Sequence, residues 1–537
     1  MKLRTPDHIR LLTETGDESF AGGCAEYKDV SIRTELRGEE LQLFVTAVCT
    51  PLRYVALRFN YLPEEWRTDP VRVLGDTIER GYGDLEWRSI VPERATMWTV
   101  CVSNGSDRNR DYTGRFTECF GVKVRPNALC TWQYDSKGVT LWADLRCGGM
   151  GVNLAGRTLH ACTVRFGEYR DVSAFEAVKA YYKTLCDDPL PVEHVIYGSN
   201  NWYYAYGHSS HEEILADADI LAANTVGLKN RPFMVIDDGW QPNSCDAPWD
   251  RGNERFPDMK RLADEIAERG CYPGIWVRYL ADRRGDLHTP ESWRSPLDKK
   301  ILDVSHPAVL EYVKETTRRI CDWGYKLIKH DYSTFDILGY EMLKRDEAHN
   351  VKNNWHFFDT SKTSAEIVKN YYKAILDATE GRAYVLGCNV IGHLSAGLCH
   401  ANRTGDDTSG YAWERTRQMG VNTLAFRLVQ NRAFYVADPD CIGITEHIDW
   451  KLNREWLRLL AVSGSSLFMS CKPGTLDKSQ YAEVKEALAR NSEQKDELQP
   501  LDWMENVCPE HYLLDGEELT FDWLGDFGAD LKENAGL

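Results

Sequence analysis

At 537 residues the chain is too long for one compact core, so two or three domains are expected. Its 43% hydrophobic and 27% charged content is that of a globular protein. A net charge of -18 argues against a nucleic-acid or anionic-membrane partner, because phosphate binding needs a basic face.

The first ten residues, MKLRTPDHIR, lack the apolar stretch of an export signal. No apolar run approaches the roughly 18 residues of a membrane span. The 16 cysteines are scattered without a C-x-x-C pair, so free thiols in a reducing cytoplasm are expected. His208 and His211 lie three apart, but no acidic or cysteine ligand set accompanies them. No metal and no cofactor are expected.

Residues 1–190 read as an N-terminal β-sandwich with a linker helix. Strand-like alternation runs through Val30–Leu36, Leu41–Val48, Tyr54–Phe59, Met97–Val102 and Val139–Leu145, with Gly, Asn, Asp and Pro between the runs. A helix is expected over 173–186, and Asp187-Asp-Pro-Leu-Pro191 then marks a boundary.

Residues 191–492 alternate strands with helices. Strands are expected at His194–Ser199, Pro232–Ile236, Tyr272–Tyr279, Tyr325–Ile328, Ala383–Gly387, Cys399–Asn402, Ala433–Ala437 and Ser465–Met469. One helix follows Ser305-His-Pro, with Leu310, Val313, Thr317 and Ile320 on a face and Gly324 at its end. Another spans about 363–380, with Ile367, Tyr371 and Ile375 on a face. Eight such units make a (β/α)8 barrel, and the dinucleotide and Walker loops of a doubly wound sheet are missing. Residues 493–537 form a short β-rich tail, too short for a full sandwich.

A barrel brings together the polar groups that follow its strands. These are Asp237-Asp238-Gly-Trp240, Trp276 with Arg278, Lys329 with Asp331, Cys388-Asn389, Arg403 to Thr408, and Asp438-Pro-Asp440. Individually each has a structural reading: Trp240 in a core, Asp331 or Asp440 as a helix cap. Together they suit a sugar, whose C–H faces stack on rings and whose hydroxyls meet charged groups. Two carboxylates then suffice for glycoside hydrolysis, roughly 5 to 5.5 Å apart when the configuration is retained. Asp331 is the expected nucleophile. Lys329, two residues earlier, points to the same face and favours its ionised form. Asp406 and Asp407 are the candidates for the acid/base.

At these positions the sequence resembles glycoside hydrolase family 36 and the related family 27, the retaining α-galactosidases and α-N-acetylgalactosaminidases. The similar pieces are Asn201-Trp202-Tyr-Tyr-Ala-Tyr, Val235-Ile-Asp-Asp-Gly-Trp240, Gly274-Ile-Trp276, Leu302-Asp-Val-Ser-His-Pro307, Lys329-His-Asp331, Arg403–Thr408 and Ala437-Asp-Pro-Asp440, in order over about 195–470. The resemblance implies double displacement through a covalent glycosyl-aspartate on Asp331. It implies substrate binding by Trp202, Asp237, Asp238, Trp276, Lys329, Cys388 and Arg403. Asp407 matches the acid/base, four residues after Arg403 and before a Thr; Asp406 is the second choice. A β-sandwich before the barrel and a small β-domain after it are implied too.

The run Gly387-Cys-Asn-Val-Ile-Gly-His393 departs from the family pattern, which leaves galactose and N-acetylgalactosamine both open. A long loop over about 334–360, with Trp355, His356, Phe357 and Phe358, is expected to shape the aglycone side. The competing functions are an α-galactosyl transferase of the raffinose-synthase kind on the same residues, and a non-catalytic sugar-binding barrel. The expected partner is an oligosaccharide or glycoside, with no nucleic acid and no membrane; self-association is left open.

Overall fold

The computed structural model describes residues 2–61, 71–78, 85–108, 110–339, 354–495 and 497–525. Its first half is antiparallel. The strands form one continuous path that starts at Asp17–Ala21 and ends at Cys24–Tyr27. Only Gly22 and Gly23 separate those two end strands in the chain, so the sheet wraps around almost to meet itself. Phe59 and Phe166 lie on strands five apart in the path, yet their rings meet edge-on at 5.2 Å across the interior. The two separate layers expected from the sequence are thus one curved sheet. The alternating residues point their apolar side inward: Leu41, Leu43, Val45 and Ala47 are buried along a single strand.

The helix Ala174–Tyr182 follows. Ser173 and Glu176 form a reciprocal capping box that satisfies two otherwise orphaned amides. The chain then enters a parallel sheet with crossover helices. The sheet order, in residues, is Val436–Asp438, Ala401–Arg403, Tyr384–Gly387, Leu327–His330, Tyr272–Val277, Phe233–Ile236, Tyr197–Asn200, Leu467–Cys471 and Cys441–Ile444. Its two end strands are halves of one segment, broken only at Pro439 and Asp440. The Ser466 amide also donates to the Ala437 carbonyl at 2.9 Å, tying one margin of the sheet to the other.

Most of these strands start later and end later than hydropathy predicts. Leu327–His330 replaces the expected Tyr325–Ile328, because Lys329 and His330 keep full pairing with both neighbours. Paired backbone, not apolarity, sets the end of a strand. The crossover helices run at Pro307–Asp322 and Ser364–Thr379, as the periodicity predicts. The buried stripe of the first is Val309, Val313, Thr316, Thr317 and Ile320; Leu310 is only half-buried at its margin. Thr363 caps the second with Glu366 in a capping box worth about 1 kcal/mol.

The tail forms a small antiparallel sheet of Gln499–Pro500, His511–Leu514 and Glu517–Thr520. Trp503 and Trp523 bury their rings beside it. The expected long loop begins as the helix Ser333–Leu338, and its middle, 340–353, lies outside the described residues. Trp355 and Phe357 are buried; the Trp355 carbonyl accepts from the Gly149 amide of the N-terminal sheet at 3.0 Å. The Trp355 ring packs against Gly148 of that sheet, and Phe357 meets the Trp355 ring edge-on at 4.8 Å. Among the described residues no helix is long and apolar enough to cross a membrane.

Candidate active site

One face of the parallel sheet carries the candidate residues. Along each strand, alternate side chains share a face. Phe233 and Val235 lead to Asp237, Leu327 leads to Lys329 and Asp331, Leu386 leads to Cys388, and Ala401 leads to Arg403. The apolar members of these series pack as one cluster inside the curved sheet. The polar members follow at the C-terminal ends, so a greasy floor gives way to a charged rim. The other face is apolar and packs on the helices. It includes His330, whose Nδ1 lies 2.9 Å from Ser333 Oγ and which burial pushes down to about 4.

Register places Trp276 beside Lys329 on neighbouring strands. Trp276 Nε1 donates to Asp331 Oδ2 at 3.1 Å, and the Tyr332 amide donates to Asp331 Oδ1 at 2.7 Å. Each oxygen therefore accepts from a neutral donor. Tyr332 holds a left-handed φ of 59°, which turns the chain sharply after Asp331. Beyond it, Arg278 grips Asp336 in a buried bidentate pair at 2.6 and 2.9 Å and lies 3.9 Å over the Tyr332 ring. Arg278 thus braces the turn that carries Asp331.

Lys329 Nζ donates to Asp237 Oδ2 at 2.7 Å, and Asn200 Nδ2 donates to the same oxygen at 2.7 Å. Burial works against the ammonium, but the Asp237 carboxylate outweighs it and holds Lys329 well above the ordinary lysine range. Asp238 has a different fate from its neighbour. It accepts from Gln241 Nε2 at 2.5 Å, Ser244 Oγ at 2.6 Å, the Cys245 amide at 2.8 Å and Cys245 Sγ at 3.1 Å. It organises its own loop. Trp240 is fully buried, with Nε1 on the Trp276 carbonyl at 2.9 Å, so it belongs to the core.

Arg403 anchors the opposite side. It is 1% exposed, and Nη2 donates to Asp440 Oδ2 at 2.6 Å, to the Asp406 carbonyl at 3.0 Å and to Asp407 Oδ1 at 3.4 Å. Nη1 lies 3.2 Å from Cys388 Sγ. Burial opposes the charge of Asp440, yet Arg403, Lys329, Tyr203 and Thr408 hold its carboxyl below the usual range. Tyr203 Oη donates to it directly, and Asp440 sits at a left-handed φ of 71°.

Asp406 and Asp407 differ. Asp406 accepts from Arg415 Nη2 at 2.9 Å and from the Asp407 amide at 2.9 Å. The Asp407 side chain is 44% exposed, with Arg403 at the longer 3.4 Å. Asn389 instead caps Ser333–Leu338, its Oδ1 accepting from the Thr334 and Phe335 amides at 3.0 and 3.2 Å. Trp202 is half-buried at the start of the short helix Trp202–Ala205.

Sequence reading passed over Asn200 and Tyr203 as functional residues. Each contacts a predicted residue, Asp237 and Asp440, but nothing in the sequence links them across 37 and 237 positions. Asn200 carried a signal as a polar residue just after an expected strand, and Tyr203 lies inside the family-similar piece Asn201–Tyr206. Among the described residues, no group of three His, Cys, Asp or Glu could hold a metal ion. His211 Nε2 instead lies 2.5 Å from Glu265.

No protein-family model matches the chain. Solved structures do. Over 96% of this chain and 98% of the other, the fold matches TtGalA, an α-galactosidase from Thermus thermophilus crystallised with p-nitrophenyl α-D-galactopyranoside, at 18% identity and a TM-score of 0.60. The galactosidase domain of the α-galactosidase-sucrose kinase AgaSK matches at 13% identity and 0.59, over 90% of this chain and 70% of the other. The family 36 α-galactosidase AgaA of Geobacillus stearothermophilus matches at 13% and 0.57, over 95% and 79%. The chain shares the fold of the family 36 α-galactosidases.

Proposed function

We propose that the protein is a retaining exo-glycosidase that removes terminal α-galactosyl-type residues, with Asp331 as nucleophile and Asp407 as acid/base. The observation that carries this is the setting of Asp331: a carboxylate at the end of a parallel strand, held by Trp276 Nε1 and the Tyr332 amide. Lys329 and Asp237 stand one step inward on the same face.

Asp331 attacks the anomeric carbon as Asp407 protonates the departing oxygen. Water, deprotonated by Asp407, then releases the sugar from Asp331. Two features support Asp407 over Asp406. Arg415 pairs with Asp406 at 2.9 Å, whereas the Asp407 side chain is the more exposed of the two, where a proton donor can exchange its proton. Lys329, Asp237 and Arg403 bind sugar hydroxyls, and Trp276 and Trp202 offer ring faces. Asp238 contributes indirectly, by setting its loop.

The shared fold, the parallel order and the tie between its margins support an eight-stranded barrel over 191–492. In that layout 1–190 form the N-terminal β-domain and 493–537 the C-terminal one.

The test is hydrolysis of aryl α-galactoside, α-N-acetylgalactosaminide, α-glucoside and β-galactoside by the wild type and Asp331→Asn. Turnover of an α-galacto substrate, lost in the variant, is expected. Turnover of only the β-galactoside, or turnover that survives Asp331→Asn, overturns the assignment.

A further inference from the structure

The N-terminal sheet reaches the back of Arg403 through Asp76. At the end of the strand Val71–Asp76 the pairing with Thr96–Asn104 slips: Gly75 faces Val100, but Asp76 faces Met97. Two residues, Trp98 and Thr99, are looped out between those partners. Trp98 holds a left-handed φ of 67°, a conformation that a bulky side chain rarely adopts. Its ring lies flat on that of His393, at 4.9 Å and 6°. A Cβ on Gly75 would meet the Thr96 methyl at 2.1 Å, so the slip also needs that glycine. A bulge of this kind re-aims a side chain, and here the side chain is Asp76.

Asp76 leaves its own sheet and meets the segment behind Arg403. Arg427 donates to Asp76 Oδ1 from Nη2 at 2.6 Å and from Nε at 3.2 Å, and Gln430 Nε2 donates to Oδ2 at 2.7 Å. Tyr435 Oη fixes Gln430 in turn, at 2.8 Å. The remaining nitrogen of Arg427, Nη1, donates to the carbonyl of Thr404, directly after Arg403. Asp76, Arg427 and Arg403 line one cavity of about 20 Å³. Arg403 Nε is buried with no hydrogen-bond partner among the described residues, so its guanidinium is held by the Nη atoms alone. Its placement then depends on the backbone that carries it.

We infer that Asp76 is a positioning residue for the acid/base: through Arg427 it fixes Thr404, and with it the turn that carries Arg403 and Asp407. This role rests on the reading of Asp407 as the acid/base. Arg427 is a buried cation, and Asp76 is the carboxylate that its fork grips. Without that charge nothing holds the fork between Asp76 and Thr404. Asp407 lies three residues beyond Thr404. Misplacing a catalytic group by about 1 Å costs up to about a hundredfold in rate.

The experiment compares methyl α-galactoside, whose alkoxide must be protonated to leave, with α-galactosyl fluoride, whose fluoride leaves without an acid. The readout is the ratio of kcat/KM between them, from which any unfolded fraction of enzyme cancels. Asp407→Asn is the control and is expected to lower this ratio about a hundredfold. Asp76→Asn is expected to lower it about tenfold. Arg427→Lys keeps the buried charge pair but lacks the fork that reaches Thr404. It is expected to lower the ratio similarly, with little change in urea denaturation. The double variant is expected to be no worse than the poorer single. A wild-type ratio in both Asp76→Asn and Arg427→Lys, whether or not the two substrates slow together, makes the contact structural only; it overturns the positioning role and leaves the acid/base standing. Losses that multiply in the double variant overturn the route through Arg427. An unchanged ratio in Asp407→Asn, or turnover of neither substrate by the wild type, overturns the proposed acid/base and the positioning role with it.

Discussion

Lys329 and Asp237 meet at 2.7 Å across the strand that separates theirs, and both are buried. Removing one partner of such a pair leaves an uncompensated charge in a low-dielectric interior. Lys329→Met is therefore expected to cost about 3–5 kcal/mol in stability, read by urea denaturation. The double variant Lys329→Met with Asp237→Leu is expected to recover most of that loss and none of the activity. A single variant within about 1 kcal/mol of wild type would show the pair to be solvated rather than buried.

Asp331→Asn keeps the shape of the side chain and one carbonyl-type acceptor. The folded state is expected to lose only about 1 kcal/mol, the worth of one neutral hydrogen bond. Turnover is expected to fall at least about a thousandfold, because an amide cannot form the glycosyl ester. Parallel loss of structure, read by circular dichroism, would mean that Asp331 is a structural cap after all.

Asp407→Asn is expected to hydrolyse activated aryl galactosides far better than alkyl ones, and azide is expected to rescue it. Asp406→Asn is expected to show neither effect, since its carboxylate is engaged by Arg415. The opposite pattern would move the acid/base by one residue.

Asp238 holds Cys245, and burial, followed by the Asp238 charge, pushes that thiol up to about 12. In Asp238→Ala both causes weaken. Cys245 is expected to react with a maleimide at pH 8 many times faster than in the wild type, followed site by site by mass spectrometry against exposed Cys24 and Cys49. Unchanged labelling of Cys245 would mean that the loop stands without Asp238, freeing that carboxylate to serve the sugar.

Asp217, buried under Tyr204, is pushed up to about 7 by burial. A carboxyl raised in the folded state binds its proton more tightly there than in the unfolded chain. Stability is therefore lost as pH rises from about 4 to about 7 and is level above that. The cost is at most on the order of 4 kcal/mol. Asp217→Asn is expected to match wild type near pH 4.5 and to melt several degrees higher at pH 8. A variant less stable at pH 8 would show that the ionised Asp217–Tyr204 bond outweighs the burial of the charge.

Local chemistry was enough to expose much of this molecule. The capping box at Thr363 and Glu366 and the stripe Ile367, Tyr371, Ile375 are short-range patterns, and the helix formed where they stand. The order of strands and helices implied the parallel sheet, and alternation along Leu327, Lys329 and Asp331 implied that charge follows apolar side chains on one face.

What the chain alone did not reveal depends on contacts between distant residues. Asp237 and Asp238 are adjacent and chemically identical, yet one meets Lys329 and the other is taken up by Gln241, Ser244 and Cys245. Asp406 and Asp407 part in the same way, through Arg415 and Arg403. Trp240, Trp276 and Trp355 are equal as letters, but only packing makes the first core, the second a donor to Asp331 and the third a seam with the N-terminal sheet. Residue type and spacing settle which groups can do chemistry. Which of them is left to do it is settled by the partners that folding brings within about 3 Å, and those lie up to hundreds of residues away.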